Sequence, residues 1–168
     1  MTDAAPLILA LTLDDATQQR LDGLRRAHFP PERNLLSAHV TAFHALPGEH
    51  LDELVADLRE TAPDASIAVA VTGVRSLGRG VAFDLSAPEA ESLRAGLARR
   101  WAGRLTAQDS QRWRPHVTVQ NKVTPEAARA LHRQLAATFV PYDAEAVGWG
   151  LFRYRGGPWE HVLGVPFA

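Results

Sequence analysis

The triplet His-Val-Thr occurs twice in this chain, as His39-Val40-Thr41 within "SAHVTAFHAL" and as His116-Val117-Thr118 within "RPHVTVQNKV". Imidazole is the side chain whose unperturbed pKa lies nearest neutrality, so a pair of them can hold one neutral and one protonated member. Such a pair can act as general base and general acid in one step. Phosphodiester cleavage asks for both, because one group takes a proton from the attacking oxygen while the other gives one to the leaving oxygen. Negative charge then gathers on the nonbridging oxygens, where hydroxyl donors and a cation stabilise it. Thr41 and Thr118 supply the hydroxyls. Chance gives about 0.4 His-x-Thr triplets in a chain of this composition. Two copies with the same middle residue therefore single these positions out.

The chemistry requires elements that bring the two copies together. Along a strand, residues i and i+2 point the same way. His39 and Thr41 then share one face and Val40 takes the other; His116, Thr118 and Gln120 share a face and Val117 and Val119 point away. The apolar run over 6–13 predicts a strand, and Asp14 and Asp15 can cap a helix running to Phe29, where Pro30-Pro31 stops it. A strand over 37–46 follows. Leu51, Leu54, Val55 and Leu58 have the spacing of an amphipathic helix. Segments 66–77 and 81–86 form a hairpin around Gly78-Arg79-Gly80. The second half repeats the order, with a helix over 88–105, a polar loop over 107–114 and a strand over 115–123. A helix over 124–139, capped by Thr124, and a hairpin over 145–167 turning at Arg155-Gly156-Gly157 complete it. Residues 1–168 are expected to form one α+β domain of two interlocked lobes. Each lobe carries one His-Val-Thr strand on mainly antiparallel sheet, with helices outside and a groove between.

Further residues lie near the motifs. Gln120 falls on the His116 face by parity and can reach phosphate or ribose. Lys122, the one lysine against seventeen arginines, has the same parity. Arg114 precedes Pro115 at the expected groove mouth, and arginine suits phosphate. Phe43 shares the His39 face by parity and can stack a base. The hairpin "LFRYRGGPWEH" brings Arg153, Tyr154, Arg155 and Trp159 to a basic, aromatic tip that can hold a nucleotide. Trp101 and Trp113 read as packing residues.

Composition excludes several classes. A net charge of −1 argues against a protein that grips long duplexes through many phosphates, leaving a strand end or a small nucleotide as partner. There is no cysteine, so disulfides and thiolate metal sites are ruled out, and a reducing cytoplasm is the expected compartment. The N-terminal apolar run is too short to span a membrane. His39 and His44 point to opposite faces of a regular strand, and no carboxylate stands at ligand spacing, so no metal is expected. Neither a Gly-x-x-x-x-Gly-Lys-Ser/Thr loop nor a Gly-x-Gly-x-x-Gly turn occurs.

Two His-x-Thr motifs in matching halves resemble the two-histidine (2H) phosphoesterase superfamily, which includes 2′-5′ RNA ligases and 2′,3′-cyclic nucleotide phosphodiesterases. The resemblance implies a bilobal fold with a central groove, His39 and His116 as the catalytic pair, Thr41 and Thr118 as phosphate ligands, and no cofactor. It implies a hydrolase of RNA processing that opens 2′,3′-cyclic phosphates, with ATP-independent 2′-5′ ligation as its reverse; a monomer is expected. At the position where the RNA-ligase branch usually has an aromatic residue, five after the first histidine, stands His44. Where it often has arginine, five after the second, stands Asn121, followed by Lys122. A non-catalytic module that binds RNA ends or nucleotides is the alternative, since it would use the same groove and threonines without two titrating histidines.

Overall fold

The computed structural model describes residues 2–168. Strand β1, Leu7–Leu13, is buried at every position but Thr12, as its apolar run predicts. Asp14 then caps helix α1, Asp15–His28, by accepting from the Thr17 amide. Its other carboxylate oxygen accepts from the Glu145 amide at 2.8 Å, so the cap also ties the helix to a strand from the far end of the chain. Strand β2 is Val40–Leu46 and helix α2 is Leu51–Thr61, with Leu54, Val55 and Leu58 turned inward. Strands β3, Ile67–Ser76, and β4, Val81–Ser86, form the first hairpin.

Helix α3 is Pro88–Arg100, shorter than its sequence pattern suggests. The chain leaves the helix at Trp101 and turns through Gly103 at a φ of 86°, a left-handed conformation that glycine adopts without steric cost. Strand β5 is His116–Gln120, helix α4 is Pro125–Thr138 under a Thr124 cap, and strands β6, Tyr142–Arg153, and β7, Glu160–Pro166, close the chain.

The seven strands form one continuous antiparallel sheet in place of a separate sheet in each half. Its order is β2-β1-β6-β3-β4-β5, with β7 also on β6. The junction is β6. Residues 146–153 pair with β1 and residues 148–153 with β7, while residues 142–146 pair with β3. The two motif strands, β2 and β5, are the two ends of the strand order. Helices reach across to them: α1 lies against β5, and Arg94 of α3 donates from Nε to the Ala42 carbonyl of β2 at 3.0 Å.

Candidate active site

Val40 and Val117 are completely buried, and these two middle residues of the triplets fix how both motifs sit. With each valine pointing into the core, His39, Thr41, His116 and Thr118 are half-buried on the opposite side. His39 immediately precedes β2 and His116 opens β5. The two imidazoles are held in the same manner. His39 Nδ1 lies 2.9 Å from the Ser37 carbonyl and His116 Nδ1 lies 3.0 Å from the Arg114 carbonyl, each two residues upstream. A carbonyl can only accept, so Nδ1 is the protonated nitrogen in both rings. Nε2 is then the atom left with a lone pair to take a proton, or with a second proton to give.

His39 is packed against the indole of Trp159, with ring centroids 4.5 Å apart. Burial pushes its pKa below the ordinary histidine value of 6.5, against the opposing effect of the bond to Ser37, and the charges of Arg25 and His116 push it further down.

His39 and Thr118, from different halves of the chain, line one cavity of about 430 Å³ together with Arg25, Arg33, Lys122 and Tyr154. No carboxylate lines it. Arg25 is 5% exposed and is held by three bonds: Nε donates to Asn34 Oδ1 at 2.8 Å and to the Leu36 carbonyl at 3.0 Å, and Nη1 donates to the Thr118 carbonyl at 2.9 Å. Thr41 is tied to the other half in turn, because Trp113 Nε1 donates to its carbonyl at 2.8 Å. Lys122 lies just past the end of β5 with a φ of 62°, a conformation costly for a residue with a Cβ. The segment is held there by its neighbours. The Val123 amide donates to the Arg79 carbonyl at 3.1 Å, and a Cβ at Gly80 would come within 2.0 Å of the Gln120 carbonyl oxygen.

The structure gathers His39, Thr118, Lys122 and Tyr154 around this cavity, and not the remaining candidates. Phe43 is 1% exposed beneath the Arg94 guanidinium, 4.1 Å from its ring, and offers no face to a base. Parity fails there because of a bulge: Ala10 pairs with Thr41 but Leu9 with Phe43, so one extra residue in β2 turns Phe43 into the core. A similar irregularity in β5, where Ala82 pairs with Thr118 but Val81 with Gln120, takes Gln120 off the Thr118 face. Gln120 is 7% exposed and its Oε1 has no partner. Arg114 lines a different cavity, with Arg75, Asp84, Glu91 and Arg112. In the hairpin, Arg153 is buried and donates to the Ala5 carbonyl at 2.8 Å, and Arg155 pairs with Asp3 and Glu160, which leaves Tyr154 and Trp159 facing the groove.

Two residues have no local signal. Arg25 reads like one more polar helix position and Asp84 like an ordinary strand residue, while Trp159 is legible as a hairpin aromatic but not as the neighbour of His39. Asp84 is the cross-strand partner of His116 and is paired with Arg75, Nη2 to Oδ1, at 2.5 Å. His44 is half-exposed and lies 3.3 Å from Asp109, whose fully buried carboxylate also accepts the His44 and Ala45 amides. Among the described residues, no group of three or more His, Asp or Glu side chains is placed to hold a metal ion, and no helix is long and apolar enough to cross a membrane.

A family model, the 2′-5′ RNA ligase superfamily, matches residues 13–158. Solved structures share the fold at low identity. The crystal structure of TT0787 of Thermus thermophilus aligns with a TM-score of 0.67 at 17% identity, over 96% of this chain and 97% of that one. That of E. coli LigT complexed with 3′-AMP aligns with a TM-score of 0.60 at 16% identity, over 99% of each chain. LigT complexed with phosphate aligns with a TM-score of 0.56 at 17% identity, over 98% of each. No curated protein sequence matches.

Proposed function

This chain belongs to the 2′-5′ RNA ligase superfamily, and from that premise we propose that it is a phosphodiesterase that opens 2′,3′-cyclic phosphates on RNA ends or small nucleotides. One observation carries the reading. Two imidazoles, each bonded through Nδ1 to the carbonyl two residues upstream, keep Nε2 available, and one of them shares a carboxylate-free cavity with the opposite motif's threonine, two arginines and a lysine.

The reaction balances with these groups alone. Water attacks phosphorus, one Nε2 removes its proton, and the other Nε2–H protonates the ribose oxygen as its bond to phosphorus breaks. A phosphomonoester and a ribose hydroxyl result. Burial biases His39 toward the neutral form, so we assign it the base role and His116 the acid role in hydrolysis. Thr41 and Thr118 donate to the nonbridging oxygens, and Arg25 and Lys122 offset their charge. With the 5′-hydroxyl of a second strand in place of water, the same proton transfers form a 2′-5′ bond without ATP. Tyr154 is 45% exposed at the cavity mouth, where it can stack on the base. The LigT complexes with 3′-AMP and with phosphate make a nucleotide end the natural first ligand to test. We place the enzyme in cytoplasmic RNA processing, as a monomer.

The test is turnover of a 2′,3′-cyclic mononucleotide in the presence of EDTA across pH 5–9. A bell-shaped rate profile that persists in EDTA is expected. Saturable binding without turnover would instead favour a binding module.

A further inference from the structure

One cavity is lined by His39, and another lies against the segment that leads into the His116 strand. The His39 cavity, of about 410 Å³, has Leu35, Leu36, Phe152 and Trp159 on its walls, with Gln18 and Asp22. Beside the His116 strand, one of about 610 Å³ is lined by Arg75, Arg112 and Arg114 with Asp84 and Glu91. Asp84 lies directly across the β4–β5 ladder from His116, which puts this cavity on the motif face of the sheet. Its carboxylates already have partners: Asp84 pairs with Arg75, and Glu91 accepts from the Ala87 amide at 2.9 Å. Arg112 and Arg114 are exposed, and among the described residues neither guanidinium meets a carboxylate. His39 thus has aromatic and aliphatic side chains on one side, and the cavity against the His116 strand offers those unpaired guanidinium groups.

We propose that the cavity beside His116 is a second anion site, holding a backbone phosphate of a single-stranded oligonucleotide whose cyclic end lies between the histidines. This rests on the reading above and gives the substrate a direction, with the terminal base toward Trp159 and the chain leading out over Arg112 and Arg114. Arg114 and Thr118 are four residues apart, about 13 Å at the rise of a strand. That span is longer than one nucleotide unit, so a mononucleotide leaves the second site empty. Guanidinium is the group suited to such a phosphate, through paired hydrogen bonds.

The experiment compares a trinucleotide ending in a 2′,3′-cyclic phosphate with the cyclic mononucleotide, in wild type and in Arg112→Ala. Wild type should favour the trinucleotide by about tenfold in kcat/KM, the scale of one charge-assisted contact. Arg112→Ala should remove most of that preference while changing mononucleotide turnover by less than about twofold, and should flatten the salt dependence seen with the trinucleotide. Calorimetric binding of a trinucleotide 3′-phosphate against a mononucleotide 3′-phosphate reads the site whether or not turnover occurs. Equal affinity for the two, or an Arg112→Ala loss shared by both, overturns the proposal. Absence of turnover with the trinucleotide preference intact in binding overturns the enzyme reading and leaves the anion site standing.

Discussion

Arg25 of the first helix donates to the carbonyl of Thr118, 93 residues further along the chain, at 2.9 Å. The same guanidinium holds Asn34 and the Leu36 carbonyl. It thereby fixes the second motif relative to the segment that leads into the first. Arg25→Met leaves three acceptors without their donor, and hydrogen bonds to charged groups are worth about 1.5–3 kcal/mol each. A loss of at least about 2 kcal/mol in denaturant unfolding is expected, with a fall in kcat. Arg25→Lys keeps the charge over the cavity without the fork of donors, so KM should recover toward wild type while stability does not.

Each motif histidine should matter on its own. His39→Ala and His116→Ala are each expected to lower kcat by about 10²-fold or more, the scale of losing a general acid or base. Thr41→Val and Thr118→Val should lower kcat with the fold preserved by circular dichroism. Losses near twofold in both histidine variants would remove the mechanism.

The roles of the two histidines separate by leaving group. A phosphodiester with a nitrophenolate leaving group needs no proton on the departing oxygen. It should restore most of the rate of His116→Ala and little of the rate of His39→Ala, as measured by absorbance.

His39 also links stability to pH. Its pKa is lowered in the folded protein by burial, with Arg25 and His116 adding to the effect. The unfolded chain therefore binds a proton that the folded chain resists. The resulting stability is fully present above the unfolded value of about 6.5. It is lost as the pH falls from there through the lower folded value. Melting temperatures at pH 7.5 and pH 5 should differ more in wild type than in His39→Gln.

Lys122 places a cation at the cavity in a backbone conformation that disfavours it. A residue with a Cβ pays about 1–2 kcal/mol in the left-handed region. Lys122→Gly should therefore be more stable than Lys122→Ala by about 1 kcal/mol, while both lose kcat/KM to a similar degree. Chemical denaturation and steady-state rates report the two effects separately.

Much of this was legible in the sequence. The fully buried Val40 and Val117 follow from alternation along a strand, and they are why His39, Thr41, His116 and Thr118 stand on the opposite side. The caps at Asp14 and Thr124 lie where the helix-start signals put them. What the pattern missed has two physical sources. Parity holds only while the ladder is regular, and one extra residue in β2 and an irregularity in β5 displaced Phe43 and Gln120. Contacts between distant segments leave no local trace, so nothing near residues 25, 84 or 159 announces the bond to Thr118, the register with His116 or the tilted packing against His39.

The shared strand β6 has a consequence for how the polypeptide is made. It pairs with β1 and β3, yet it is synthesised after both. Until it emerges from the ribosome, β1 and β3 each present an unsatisfied edge, open to pairing with another nascent chain. Neither half can mature alone, so a fragment ending at Ala87 should aggregate, and soluble yield should depend on β6 being translated promptly after β3.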